Sequence, residues 1–428
     1  MDRFFDLFYQ STGVFTDSRN VLQGGMFIAL KGASFDGNLF ARECIENGAN
    51  FAIVDRKEIA DNKSIFYVID CLVFLQKLAN FHRNRFKIPI IGITGSNGKT
   101  TTKELIFEVL NAHFNTHATK GNLNNHIGVP LTLLQLNSSH DIAIVEMGAN
   151  KPHDIAELCD IAEPTHALIT NIGAAHLEGF GNFEGVLRTK LELFDSIKNR
   201  EGVLFVNKDD LNLMANLPEN VTVNNYSIST ESELNGKVVS LNPCLNFSWN
   251  QNGEHHYLVK TNLFGAYNLS NFLAAIRIGL YFGVPIQKIN NSLENYIPSN
   301  NRSQITRTEK NMLLVDCYNA NPTSMFSAIS SFSKTESGDK IAIIGDMLEL
   351  GDEAELKHRE IIELLNELQL KYFTVGPLFQ NISENNAVFK GSVTSELVDY
   401  LKNYPIEDCF ILLKGSRGIA LEKLITLL

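Results

Sequence analysis

The sequence predicts an α/β protein of three domains. These are a central parallel-sheet domain built on a P-loop, a Rossmann-like C-terminal domain and a small α/β N-terminal domain. Three observations lead there. Beyond about residue 87, short apolar runs alternate with segments of helical period, the pattern of a parallel sheet. One such run is followed by a Gly-rich turn and a helix. The first block has another texture, with β-like runs between Gly-rich turns. At roughly 150 residues per domain, a chain of 428 residues holds two or three. The expected bounds are 1–85, 86–297 and 298–428.

In the first block, residues 26–30 and 51–55 are β-like and 71–85 are helical. Residues 88–94 are an apolar run leading through a Gly-rich turn to a helix at 101–112, with further apolar runs at 141–145 and 167–170. The polar stretch 207–255 reads as a sheet excursion with an exposed edge. Leu269, Phe272, Leu273, Ile276 and Leu280 recur at helical spacing over 268–282. Tyr296-Ile297-Pro298 and the polar residues after it read as a linker. Strands are then expected at 312–315, 341–344, 372–375 and 410–413.

Composition limits the function. The charged residues are 37 basic and 48 acidic, a net charge of −11, which argues against nucleic-acid binding through bulk charge. No apolar run approaches the ~18 residues of a membrane span, and no signal-peptide core is visible, so a cytoplasmic chain is expected. The six cysteines are scattered, with no CxxC pair and no zinc-ligand spacing, so reduced, mostly buried thiols are expected.

The most informative segment is Gly92-Ile93-Thr94-Gly95-Ser96-Asn97-Gly98-Lys99-Thr100-Thr101. Its setting, after a strand and before a helix, is that of a nucleotide phosphate loop. Glycines let the backbone wrap phosphates, Lys99 would reach the β/γ oxygens, and Thr100 would ligate Mg²⁺. The strict G-x-x-x-x-G-K-[ST] pattern is not met, because Ile occupies position 93; Gly92 and Gly95 supply the flexibility. Glu146 follows the run 141–145, and His176 lies in the loop after 167–170. In a parallel sheet the strands' carboxyl ends form the ligand crevice, so both are candidate ligands of a divalent metal. The alternatives are a surface glutamate and a solvated loop histidine. Around 183–194, Phe183, Val186, Leu187 and Phe194 share a helix face with Lys190. Burial disfavours a charged lysine. Two readings stay open: a lysine that snorkels to water, or a neutral amine that adds CO₂ to form an anionic, metal-ligating carbamate.

Residues 94–101 resemble the ATP loop of the Mur ligases, the ATP-dependent amide-forming enzymes of peptidoglycan synthesis, and the resemblance runs over essentially the whole chain. It implies that Gly95, Ser96, Asn97, Gly98, Lys99, Thr100 and Thr101 bind ATP, that Asn268 and Asn271 lie near the adenine, and that Arg302 and Asp316 also serve the nucleotide. It further implies catalytic roles for Lys99, Glu146, His176 and Lys190. Thr100, Glu146, His176 and a carbamylated Lys190 would supply two Mg²⁺ sites. Thr16-Asp17-Ser18-Arg19 and Phe35-Asp36-Gly37 are similar to the uridine-nucleotide domain. Asp316-Cys317-Tyr318-Asn319-Ala320-Asn321-Pro322 is similar to the D-x-Y-N-A-N-P pattern of members that add D-alanyl-D-alanine, where sister ligases show D-Y-A-H-x-P. Residues 120–130, 146–150, 345–351 and 414–417 look like the same members. The implied substrates are a UDP-MurNAc-tripeptide and D-Ala-D-Ala, with Asn124, Asn125, Asn319 and Asn321 among the substrate-binding residues. Lys414, Ser416 and Arg417 are expected to hold the dipeptide carboxylate.

Three departures from the family pattern stand out: Asn38 and Tyr267 where His is common, and Asn301 before Arg302 where Gly is usual. A monomer, without nucleic-acid partner or membrane insertion, is expected. Competing readings are a sister ligase adding a single amino acid, against which Asn319-Ala320-Asn321-Pro322 counts, and a folylpolyglutamate synthase-like ligase, against which the first 85 residues count. A non-catalytic ATP-binding scaffold is the third, against which Lys99, Glu146 and Lys190 count.

Overall fold

The computed structural model describes residues 2–174, 177–336, 338–382 and 386–428. The chain folds as two compact units, one of residues 1–92, 114–149 and 153–166, the other of residues 93–113, 150–152 and 167–428.

The first sheet consists of β1 (Val14–Phe15), β2 (Met26–Ile28), β3 (Phe51–Val54) and β4 (Ile65–Tyr67), parallel throughout in the order β1-β2-β3-β4. The helix α1 (Cys71–Arg83) follows because Asp70 caps it, accepting the Val73 N–H at 2.8 Å. Its polar face is tied down within the unit: Asn80 Nδ2 donates to the carbonyls of Asp160 and Ile161, and the Arg83 guanidinium to those of Ala162 and Glu163.

The second sheet contains β5 (Ile90–Thr94), β6 (Thr116–Ala118), β7 (Ile142–Glu146), β8 (His166–Ile169), β9 (Val203–Asn207) and β10 (Thr222–Tyr226), in the order β10-β9-β8-β5-β7-β6. Every residue of β5, β7 and β8 is buried, as expected of central strands in an α/β sheet. The helix α2 (Lys99–Asn111) starts directly at the phosphate loop. In α3 (Phe183–Lys198), Val186, Leu187, Lys190 and Phe194 face inward as the spacing predicts. Phe183 does not: it is the first helical residue, beside the Asn182 cap, and is exposed.

Among the described residues the third sheet has nine strands. β11 (Leu234–Leu241), β12 (Cys244–Gln251) and β13 (Tyr257–Phe264) form an antiparallel meander with β11 at its edge, so the polar 207–255 stretch supplies two strands of this sheet, one of them at the edge. A strand the sequence did not announce, β14 (Gln304–Arg307), pairs antiparallel with β15 (Met312–Asp316) and meets β13 at Leu263. The remaining strands are β16 (Asp339–Gly345), β17 (Lys371–Val375), β18 (Phe389–Gly391) and β19 (Cys409–Lys414), parallel in the order β15-β19-β16-β17-β18. The helix α4 (Leu269–Tyr281) packs on α2. The helices α5 (Pro322–Ser333) and α6 (Ala354–Glu367) cover one face of the third sheet, through Met325, Ile329, Phe332, Ile361 and Leu365.

Candidate functional site

Strand β5 ends at Thr94, and the loop after it needs glycine twice. Gly95 has φ +141° and Gly98, the residue before α2, has φ +78°, both in the region L side chains avoid. Space is short as well. A Cβ on Gly98 would come within 2.9 Å of Asn271 Oδ1, and one on Gly95 would collide with Thr170 Oγ1. The α2 ladder begins with the Thr102 N–H donating to Gly98 O at 2.8 Å. The N–H groups of the turn before it therefore point out of the helix end, where an anion is favoured. The Lys99 ammonium lies over the same loop, donating to Gly95 O at 2.7 Å and Ser96 O at 3.4 Å. A backbone too close-packed for side chains, N–H groups at a helix start and a lysine beside them fit a polyphosphate. Asn271, buried, donates to Asn268 Oδ1 at 2.8 Å, and Asn268 in turn donates to Phe264 O at 2.7 Å. The i, i+3 pair thus lies on one side of the start of α4, against the loop.

The segment after β8 grips this loop. Asn171 accepts the Asn97 N–H through Oδ1 at 3.1 Å and donates from Nδ2 to Asn97 O at 2.9 Å. Its own carbonyl accepts the Ser96 N–H at 3.0 Å. Thr170 Oγ1 adds a second donor to Asn97 O at 2.6 Å. The Ser96 hydroxyl donates to Gly173 O and accepts the Gly173 N–H, both at 2.9 Å. None of Thr170, Asn171 and Gly173 was anticipated. The available signal was position: Asn171 follows a buried strand just as Glu146 closes another.

From α5 a third segment arrives. Asn321 caps that helix, accepting the Ser324 N–H at 2.9 Å in a capping box. Its Nδ2 donates to Asn97 Oδ1 at 2.7 Å. Asn319 is exposed and accepts the Ala320 N–H.

Nearby runs a polar chain. Tyr267 and Ser303 share a hydrogen bond of 2.7 Å, the Ser303 N–H donates to Asp316 Oδ1 at 3.0 Å, and Lys414 Nζ meets Asp316 Oδ2 at 2.6 Å. Burial, then the Asp316 charge, raise Tyr267 well above the usual phenol range, so it stays a neutral hydrogen-bonding group. Burial also pushes the Cys317 thiol up to about 12, which leaves it protonated and a poor nucleophile. Tyr318 carries two guanidinium groups on its ring, Arg302 at 3.9 Å from the centroid and Arg417 at 5.4 Å. Ser416 accepts the Leu348 N–H through its hydroxyl at 3.0 Å. Upstream, Glu104 on α2 accepts from Tyr296 (2.6 Å) and Asn300 (2.9 Å), fixing the segment that leads to Arg302.

Lys190 is buried on α3, with Nζ 5.7 Å from the centroid of Phe180. His176 lies outside the described residues. In the first unit, Glu146 closes β7. Its Oε1 accepts from Asn124 Nδ2 at 2.7 Å, and its N–H donates to Thr119 Oγ1 at 3.0 Å. Asn125 accepts the N–H groups of Ile127 and Gly128. Thr16, Asp17 and Ser18 are half-buried, and exposed Arg19 hydrogen-bonds Asp17, holding that carboxyl well below its ordinary range. Asn38, where the family often has His, bridges two carboxylates: Nδ2 donates to Asp36 at 2.7 Å and Asp55 at 2.8 Å.

Family models match most of the chain: "Mur ligase family, catalytic domain" over residues 10–83, "Mur ligase middle domain" over 93–279 and "Mur ligase, glutamate ligase domain" over 301–417. The chain is 34% identical over 431 residues to the UDP-N-acetylmuramoyl-tripeptide–D-alanyl-D-alanine ligase of Bacillus subtilis, covering 96% of this chain and 92% of that protein. To the Escherichia coli ligase of the same name it is 32% identical over 434 residues, with the same coverage of 96% and 92%. Among solved structures it is similar to MurF ligase from Thermotoga maritima in complex with ADP, with a TM-score of 0.88, 27% identity and coverage of 99% and 97%. It is also similar to MurF from Acinetobacter baumannii, with a TM-score of 0.87, 31% identity and coverage of 96% and 92%.

Proposed function

This chain belongs to the Mur ligase family, and from that premise we propose that it joins D-alanyl-D-alanine to the peptide carboxylate of a UDP-MurNAc-tripeptide, using ATP. Members of the family are ATP-dependent ligases, and the three-domain α/β fold is theirs. The observation that carries the finer reading is the 2.7 Å hydrogen bond from Asn321 to Asn97. Through it, the segment most like that of dipeptide-adding members touches the phosphate loop itself. The proposed bounds, 1–85 for the uridine-nucleotide domain, 86–297 for the ATP domain and 298–428 for the dipeptide domain, follow the same division of labour. Among the described residues no helix is long and apolar enough to cross a membrane.

A carboxylate does not acylate an amine at neutral pH, because it has no leaving group. Transfer of the γ-phosphoryl group to the tripeptide carboxylate gives an acyl phosphate and ADP. The dipeptide amine then attacks the acyl carbon, and phosphate leaves as the amide forms. Two anions must first approach one another, so the chain's contribution is positioning and positive potential. The glycine cradle and the start of α2 hold the phosphates, and Lys99 turns from the loop carbonyls to the β/γ oxygens. Asn268 and Asn271 border the nucleotide. Arg302 and Arg417 are braced on Tyr318 and supply positive potential, with Arg417 and Ser416 for the dipeptide carboxylate; Lys414, held on Asp316 at 2.6 Å, joins them only by leaving that partner.

Oxygen donors suit Mg²⁺, and the Thr100 hydroxyl and the Glu146 carboxylate are of that kind. Lys190 becomes such a donor only as a carbamate, formed when CO₂ adds to its neutral amine, and His176 would share that second metal. When bound, Mg²⁺ would neutralise charge on the phosphates. The test is phosphate release from ATP in the presence of UDP-MurNAc-tripeptide. Release should require D-Ala-D-Ala and should not occur with glutamate, a folate or a single amino acid. Release driven by a single amino acid would instead favour a sister ligase.

A further inference from the structure

Asn171 is used by none of the roles above, yet it makes the most complete contact with the phosphate loop. Its carboxamide meets both polar groups of one residue: Oδ1 takes the Asn97 N–H (3.1 Å) and Nδ2 gives to Asn97 O (2.9 Å). Its backbone carbonyl takes the preceding N–H, from Ser96, at 3.0 Å. The two N–H groups ahead of Gly98 are therefore turned inward. Gly98, at φ +78°, then reverses the chain into α2, whose first N–H groups point outward. Asn97 is held on its remaining side too, since its Oδ1 takes the Asn321 hydrogen bond.

We propose that Asn171 is a positioning residue for ATP: its carboxamide fixes the Asn97 peptide so that the glycine turn presents its N–H groups to the nucleotide phosphates. Aspartate or alanine cannot replace it. Alanine removes both hydrogen bonds. Aspartate keeps the acceptor for the Asn97 N–H but sets an anionic oxygen against Asn97 O and raises the negative charge beside a polyphosphate site. A loop that must order on binding loses affinity for what it binds.

The inference rests on the ATP-ligase reading, and the experiment separates the two. ADP binding to the full chain is titrated calorimetrically for wild type, Asn171→Ala and Asn171→Asp, and KM is measured for ATP and for the UDP-linked tripeptide. Losing two hydrogen bonds that preorganise the loop should weaken ADP binding and raise KM for ATP roughly 10- to 100-fold, with Asp worse than Ala and KM for the tripeptide substrate unchanged. Unchanged ADP affinity in both variants would overturn the proposal. So would a parallel rise of every KM together with a lowered unfolding temperature, the signature of a residue that only holds the fold. If Asn171→Ala does not fold, the isosteric Asn171→Asp carries the test alone. A wild-type chain that binds ADP but forms no amide would sink the ligase reading and leave this one to be decided by the titration.

Discussion

Lys414→Met should destabilise the core of the third sheet, and the size of the loss follows from one contact. Lys414 Nζ lies 2.6 Å from Asp316 Oδ2, with side-chain exposures of 2% and 14%. Charges that close, at an effective dielectric near 20, attract by about 6 kcal/mol before desolvation is counted. Desolvation cancels much of that, so the pair's net worth is small, but removing one partner leaves an uncompensated charge and costs about 3–5 kcal/mol. Asp316 keeps the Ser303 N–H at 3.0 Å after Lys414→Met, so the lower end, about 3 kcal/mol, is expected for that variant. Asp316→Ala strands an ammonium that is more deeply buried and should cost nearer 5 kcal/mol. The double variant Asp316→Ala/Lys414→Met strands no charge, so its loss should be small and fall well short of the roughly 8 kcal/mol to which the two single losses add. The assay is native-state hydrogen exchange of the β15 and β19 amides, whose register pairs Asp316 with Lys414 and Val315 with Leu413. Additive losses in the double variant would refute the reasoning, because they would mean that the two charges do not stabilise each other.

Lys190→Ala should be nearly inactive and partly rescued by short-chain carboxylates, which can take the place of a carbamate; an enzyme of normal rate would remove the carbamate from the mechanism. In the first unit, burial holds His82, His117 and His166 below the ordinary imidazole value, His166 at about 4. Such groups are neutral in the fold and bind protons on unfolding, so their contribution is intact above about pH 6.5 and is lost as pH falls below it, for His166 down to about 4. For His166 this amounts to about 2 kcal/mol between pH 7 and pH 5, and urea unfolding of His166→Phe should show a shallower pH slope than wild type; equal slopes would show that His166 does not titrate this way.

How much of this was legible depended on whether the signal was local. Strand β5, the glycines and α2 sit within a residue or two of their expected places, because an apolar run, a glycine-bearing turn and a helical period all act on neighbours in the chain. The inward lysine on α3 was legible for the same reason: helical spacing fixes which residues share a face. Strand β14 was not. Its four residues, Gln304–Arg307, are polar at both ends, and what makes them a strand is the pairing with β15 and a single meeting with β13. Asp316 and Lys414 were each marked for a ligand, yet they bind each other across 98 positions of sequence, and no periodicity reports such a partner.

Asn97 shows what the motif could not convey. A loop pattern describes one segment, but this loop's shape is set by three. Asn171 fixes the Asn97 peptide, Asn321 holds its side chain, and Asn271 closes the space over Gly98. Two of these residues, Asn321 and Asn271, carry roles that the family resemblance assigned to substrate and adenine. Their contacts here add a second role, since each also touches the loop that holds the phosphates. Asn321 brings the N-terminus of α5 onto that loop. A displacement of α5 by the incoming dipeptide would be felt at Asn97, one residue from the glycine turn. Nucleotide affinity should then depend on whether the dipeptide is bound, and Asn321→Ala should abolish that dependence. A dipeptide effect on ADP affinity that survives Asn321→Ala would show that the coupling runs elsewhere.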